Sequence, residues 1–204
     1  KWTSDKVWVA AGIEGLKRYR RDTFDEDLAF KLGEIQPAAW SLDVVRVGSS
    51  DFVIVGSNEN EVGGSLYLVE VPLVGDPVVR DTISLYAPVF AVAASTDLYA
   101  GHITVLAGTA CWSEEGCSSL RRYEVDLTQL TFGQPVAVWP PSPPCNTKAF
   151  IRDILIDENP AGQNVAYVAA YTAGIWAFNL DTGGLQVVTA GGWPIVNPDG
   201  GYTG

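Results

Sequence analysis

Apolar residues recur along this chain in short alternating runs. The clearest is 164–181, NVAYVAAYTAGIWAFNLD, in which Val165 to Ala169 is β-prone, Tyr171 to Gly174 suits a turn, and Ile175 to Leu180 alternates again. It predicts a β-hairpin. Three variants precede it, and their second strands open Gly15-Leu16-Lys17-Arg18-Tyr19, Ser65-Leu66-Tyr67-Leu68-Val69 and Ser119-Leu120-Arg121-Arg122-Tyr123, against Gly174-Ile175-Trp176-Ala177-Phe178 in the last. Leu16, Leu66, Leu120 and Ile175 follow one another at steps of 50, 54 and 55 residues, so one module is repeated.

The first strands align too, as Val7 to Ala11, Val53 to Gly56, Thr104 to Gly108 and Ala166 to Ala169. Each exits into Ala or Gly, which lets the backbone turn tightly and lets neighbouring sheets approach. Between the hairpins lie outer-strand candidates (Leu28 to Ile35, Val78 to Tyr86, Pro135 to Trp139, Leu185 to Ala190) and inner ones (Leu42 to Val47, Val89 to Ala94, Phe150 to Ile156). Four strands in roughly 50 residues is the signature of a β-propeller blade. The expected fold is all-β, a β-propeller with about four blades present, over repeats 5–41, 42–88, 89–149 and 150–190 and a tail at 191–204.

The copy YVAAYTAGIWAFNLDTG resembles the repeat "vyVAa..gGlwvfDl.tG" of extracellular bacterial β-propellers, a group that includes LVIVD-like and quinoprotein-like blades. The first and third copies share the likeness more weakly, and the second departs from it at Pro72. The resemblance implies a blade, without an activity. No Trp-Asp dipeptide occurs, which argues against a WD40 array. The first repeat lacks an inner strand, with nothing before Lys6 expected to supply one, and the Pro- and Gly-rich tail is a poor substitute. The expectation is a larger propeller of about five to eight blades.

Composition narrows the function. Apolar residues make up 47% and charged ones 18%, so the 204 residues should fold, and 21 Gly with 12 Pro fit short strands joined by turns. A net charge of −11 argues against nucleic acid and against an anionic membrane surface. No apolar run has the length a membrane helix needs. The chain starts at Lys1 and contains no Met, which suits a processed product or the ordered portion of something longer. Cys111 and Cys117 flank WSEEG closely enough to bridge, which favours an oxidising, extracellular or cell-surface setting. Cys145, in the crossover PPSPPCNTK, competes as a partner for either, and one thiol is left over in every case.

Catalytic signals are sparse. His102, expected in a turn just before the third hairpin, is the sole histidine, which leaves Ser-His-Asp catalysis a weak option and excludes a multi-histidine metal centre within this chain. Neither a haem-attachment Cys-x-x-Cys-His nor a phosphate-binding Gly-x-x-x-x-Gly-Lys-Ser/Thr loop occurs. The long hairpin loops Ser57 to Ser65 and Thr109 to Ser119 fall on the face where propellers commonly bind ligands, so Glu59, Glu61, Trp112, Glu114 and Glu115 are the binding-face candidates. Their carboxylates would suit Ca²⁺, yet the Asp-x-Asp-x-Asp-Gly spacing is absent and no cofactor is expected. Trp112 could stack on a sugar or a peptide side chain, or simply pack over a neighbouring turn. Trp8 and Trp176 read as packing residues, and Lys17, Arg18, Arg20 and Arg21 as a solvated face ion-paired to Asp22, Asp25 or Glu26, with a docking patch as the sharper alternative. The expected function is a non-enzymatic extracellular or cell-surface module that binds a partner protein or its own copies. The alternative is a propeller enzyme (quinoprotein, lyase or glycosidase type) or sugar-binding protein with an axial site, where Asp43 and Asp153 would be the acid/base candidates, although the two recur at what read as equivalent blade positions and repetition alone would explain them.

Overall fold

The computed structural model describes residues 1, 3, 5–33, 37–59, 63–85, 87–98, 100–109, 118–139, 151–158, 162–170, 174–182 and 186–187. Among them the regular structure is all β, in four antiparallel sheets. Sheet 1 holds β1 (Lys6–Ala10), β2 (Leu16–Arg20) and β3 (Glu26–Phe30). Sheet 2 holds β4 (Ala38–Val47), β5 (Ser50–Asn58), β6 (Gly64–Pro72) and β7 (Val78–Leu85). Sheet 3 runs β8 (Val89–Ser95), β9 (His102–Thr109) and β10 (Leu120–Asp126), with β11 (Thr131–Phe132) and β12 (Ala137–Trp139) both pairing to β10. Sheet 4 holds β13 (Ile151–Glu158), β14 (Asn164–Ala170), β15 (Gly174–Asn179) and β16 (Gln186–Val187). Each sheet is a meander in which strands adjacent in sequence are hydrogen-bonded, except that β12 pairs with β10 instead of β11.

The sheets stack face to face in chain order, and strand alternation decides which side chain enters which interface. Trp8 and Leu16 pack with Val53, Val55, Tyr67 and Val69 between sheets 1 and 2. Phe52, Ile54, Leu66 and Leu68 meet Val105, Tyr123 and Val125 between sheets 2 and 3. Leu106 and Leu120 meet Ile154, Val168, Trp176 and Phe178 between sheets 3 and 4. β5 is therefore covered on both faces, which is why its central run Phe52, Val53, Ile54 and Val55 is continuously apolar.

The four aligned positions take matching places in their hairpins. Leu16, Leu66, Leu120 and Ile175 lie directly opposite Ala10, Gly56, Gly108 and Ala169 in the adjoining strand. The small partners have a packing reason. A Cβ on Gly56 would fall 2.6 Å from Val89 Cγ1, and one on Gly108 would fall 2.8 Å from Ile151 Cβ. The first strand of each following sheet thus presses on the glycine of the sheet before it. Polar bonds cross the same junctions: Gly12 and Ala39 exchange N–H···O bonds of 3.0 and 2.9 Å, Ser41 Oγ donates to Val89 O, and Ala94 N donates to the Asp43 carboxylate at 3.0 Å. Arg122, 3% exposed, donates from Nη1 to Leu180 O at 2.6 Å and so ties sheet 3 to sheet 4.

Several expectations need correction. The free edge of β1 is met from before Lys6 after all: Trp8 N donates to Lys1 O at 2.8 Å, the Lys1 amino group donates to Trp8 O, and Thr3 N donates to Lys6 O. The outer strand expected at Pro135 to Trp139 is split into β11 and β12, which pair with the two ends of β10. His102 is the first residue of β9, opposite Asp126, instead of a turn residue. The tail 191–204 lies outside the described residues.

Candidate binding surface

Meander topology puts the hairpin mouths Ala10/Leu16, Asn58/Gly64 and Thr109/Leu120 at the same end of the stack as the starts of β4, β8 and β13. Of the binding-face candidates, Glu59 lies among the described residues there. Glu61, Trp112, Glu114 and Glu115 lie outside them, as do Cys111, Cys117 and Cys145. Glu59 pairs with Gly63 across the hairpin and is engaged by its own strands: Oε1 accepts from Ser57 Oγ at 3.2 Å and from Tyr67 OH at 3.1 Å. Burial of the phenol, reinforced by the Glu59 charge, pushes the Tyr67 pKa up to about 12. Ser57 Oγ in turn accepts from Ser65 N at 2.9 Å, closing the hairpin base. Thr109 and Ser119 repeat this closure in sheet 3, where Ser119 N donates to Thr109 Oγ1 at 2.9 Å. The hydroxyls that the sequence places at the mouths of both long loops are thus hairpin clamps.

At the same end each complete sheet breaks register by one residue. The breaks fall between Ala39 and Ser41 in β4, Val89 and Ala91 in β8, and Ile151 and Asp153 in β13. The extra residues are Trp40, Phe90 and Arg152. A bulge re-aims its side chain out of the pleat, and here three bulges put three large side chains in a row across three sheets. Trp40 and Phe90 meet edge to face, with centroids 4.6 Å apart at 70°, and the Arg152 guanidinium lies 5.3 Å from the Phe90 ring centroid. Trp40 is 44% exposed, Phe90 half-buried and Arg152 exposed. Sequence reasoning missed this row. The available signal was a large residue recurring before a small or polar one at the head of each first strand (Ala-Trp-Ser, Val-Phe-Ala, Ile-Arg-Asp).

The carboxylates considered for acid/base work do not form a pair of equivalents. Counted from the bulges, Asp153 matches Ser41, and the counterpart of Asp43 is Leu155. Asp43, 5% exposed, accepts from Val44 N at 2.7 Å and from Ala94 N, and meets Lys1 Nζ at 3.0 Å. Asp153 accepts from Ile154 N at 2.9 Å. Among the described residues no three His, Cys, Asp or Glu side chains gather where they could hold a metal ion. Trp8 and Trp176 are buried at 1% and 2%, in line with a packing role. The basic run is ion-paired: Lys17 to Glu14 and Glu26, Arg18 to Asp27, and Arg20 to Asp25. Arg18 also lies over the Trp8 ring, its Cζ 5.2 Å from the centroid.

At the opposite end a cleft between sheets 1 and 2 is lined by Asp5, Lys6, Arg18, Arg46, Asp51 and Leu73 among others. Its cations are neutralised in place, Arg46 by a two-point contact to Asp51 (2.6 and 3.1 Å), Lys6 and Arg18 by Asp27. The bulge row is the better candidate for contact with another molecule, since its aromatic surface is solvent-exposed.

No family model and no curated protein matches the chain. Among solved structures it is similar to a mutant of the Synechocystis apocarotenoid oxygenase ACO, at 11% identity and a TM-score of 0.46 over 86% of this chain and 44% of that one. It is also similar to BBS1N, solved in complex with ARL6DN, at 15% identity and a TM-score of 0.46 over 93% of this chain and 66% of that one. The chain therefore spans less than two thirds of either. At such identity and score, neither likeness carries a function over to it.

Proposed function

We propose that the four sheets are successive blades of a β-propeller larger than this chain, and that the molecule is a non-enzymatic extracellular or cell-surface module that works by binding protein. One observation carries the reading. Leu16, Leu66 and Leu120 are each fully buried by the following sheet, while their register equivalent Ile175 is 61% exposed. Around it, Leu155 faces Tyr167 and Tyr167 faces Ala177 across the strands of sheet 4, an apolar surface of the kind that sheets 1 to 3 cover. A face built to be covered, left bare, is an interaction surface. A further blade or a protein partner is its natural complement.

The test has two parts. Intact mass of native material, with and without reduction, reports its length and whether any Cys111, Cys117 or Cys145 bridge exists. Iodination mapping then compares Tyr167 in native material with the isolated 204-residue chain. Protection of Tyr167 in the native material only is the expected result. Native material of 204-residue mass that is monomeric, with Tyr167 as reactive as in urea, would sink the reading.

A further inference from the structure

We infer that the bulge row Trp40, Phe90 and Arg152 is a recognition site for an extended peptide of a partner protein, one that carries an apolar side chain and, about three residues on, a carboxylate. The inference deepens the interaction-module reading and rests on it. Three features on the molecule support it. First, the row is made by three separate register breaks at one place in three sheets, so it is a repeated feature of the module. Bulges in that role position side chains. Second, the composition fits. Trp and Arg are the residues most enriched where protein interfaces concentrate their binding energy, and here an indole 44% exposed stands in contact with a half-buried phenyl ring that carries a guanidinium on its face. The guanidinium over the Phe90 ring brings a fork of five N–H donors to the end of the row, and a carboxylate accepts from such a fork in two-point fashion.

Third, the dimensions select the ligand. Steps of 4.6 and 5.3 Å place the indole and the guanidinium no more than about 10 Å apart, which an extended strand at ~3.3 Å per residue covers in about three residues. The 70° angle between the two rings leaves no coplanar pair of faces for successive sugar rings to stack on. A single side chain lodged against the indole has no such requirement. Negative charge on the peptide is selected by the cation at one end of the row. On a chain of net charge −11 that selection is local, so it demands contact with Arg152 and not long-range attraction.

The experiment uses the full chain labelled with ¹⁵N and the peptide acetyl-Phe-Gly-Gly-Glu-amide, its Gln analogue, and maltotriose as the saccharide probe. The indole N–H signal of Trp40 is assigned with Trp40→Phe. The Glu peptide should shift the Trp40 indole and the Arg152 side-chain signals. Arg152→Ala, an exposed position that should leave the fold intact, should weaken the Glu peptide about tenfold and leave the Gln analogue unchanged. Equal weakening of both peptides would overturn the assignment of the carboxylate to Arg152. Shifts with maltotriose alone would make the row a saccharide site and overturn the inference, as would no shift with any probe. Those results leave the exposure of the fourth sheet untouched, so the failure of this site and the failure of the module reading are told apart by the iodination of Tyr167.

Discussion

The two outward faces of the stack are built differently. On sheet 1 the outward side chains are Val7 and Val9 beside Tyr19 and Lys17, and the polar pair is tied down: Lys17 to Glu14 and Glu26, Tyr19 OH to Glu26 at 3.2 Å. On sheet 4 the centre is Leu155, Tyr167 and Ile175, at 54%, 36% and 61% exposure, with Ala169 and Ala177 between them. A surface laced with its own ion pairs is content in water; a contiguous apolar one is not. The difference gives the stack a direction. Sheets 1 to 3 each receive the next sheet on the face that carries the repeated leucine, and sheet 4 presents that face to solvent. The complement of sheet 4 is thus expected to resemble the apolar faces of sheets 2 to 4 more than the outward face of sheet 1.

The comparison breaks most visibly at its repeated leucine. Leu120→Ala removes a fully buried side chain from the interface between sheets 3 and 4 and should cost about 2–5 kcal/mol. Ile175→Ala at the matching place of the bare face should cost under about 1 kcal/mol, since little buried area is lost there. Urea unfolding of both variants checks the pair. Equal losses would mean that Ile175 is covered in solution, and the direction of the stack would have to be drawn anew.

Much of this was legible before the structure. Hairpin positions and the burial of Trp8 and Trp176 follow from short apolar runs bounded by turn residues, because a strand covered on both faces is apolar at most of its central positions. The reason for Gly56 and Gly108 was legible as well, although not the atoms they make room for. What alternation hides is a one-residue insertion. A bulge at Trp40, Phe90 and Arg152 moves every later side chain to the opposite face, so a strict period of two misplaces whatever lies on one side of it. That is how the bulge row stays hidden from a strict alternation. Split pairing is hidden for a related reason: β11 and β12 are two and three residues long, too short for any periodicity to declare itself.

A second pair of variants sharpens the comparison at the small residues. Gly108→Ala places a methyl group against Ile151, whose Cβ is 2.8 Å from where the new carbon would sit, and the core between sheets 3 and 4 is already filled. Overpacking of this kind costs about 1–3 kcal/mol. Its counterpart Ala169 carries a Cβ already and lies on the uncovered side of sheet 4, so Ala169→Val should fall within about 0.5 kcal/mol of the parent. Thermal unfolding followed by near-ultraviolet dichroism separates the two cases. A well-tolerated Gly108→Ala would show that sheets 3 and 4 meet less closely than the contact at Ile151 requires.

The smallest of these effects reports on how dry a covered junction is. Tyr67, 8% exposed on the side of sheet 2 that meets sheet 1, has its pKa raised from the ordinary value of 10.0 to about 12, first by burial and then by the Glu59 carboxylate beside its hydroxyl. The folded protein therefore favours the neutral phenol, and the unfolded chain loses this proton first as pH rises. Stability from this group is complete below about pH 10 and is lost as pH climbs through the folded value near 12, by up to about 2 kcal/mol. Urea midpoints measured between about pH 9.5 and 11.5 should fall more steeply for the parent than for Tyr67→Phe, which keeps the ring and lacks the ionisable group. Identical slopes would mean that water reaches the phenol, and that sheets 1 and 2 are not sealed at the level of the Glu59 hairpin.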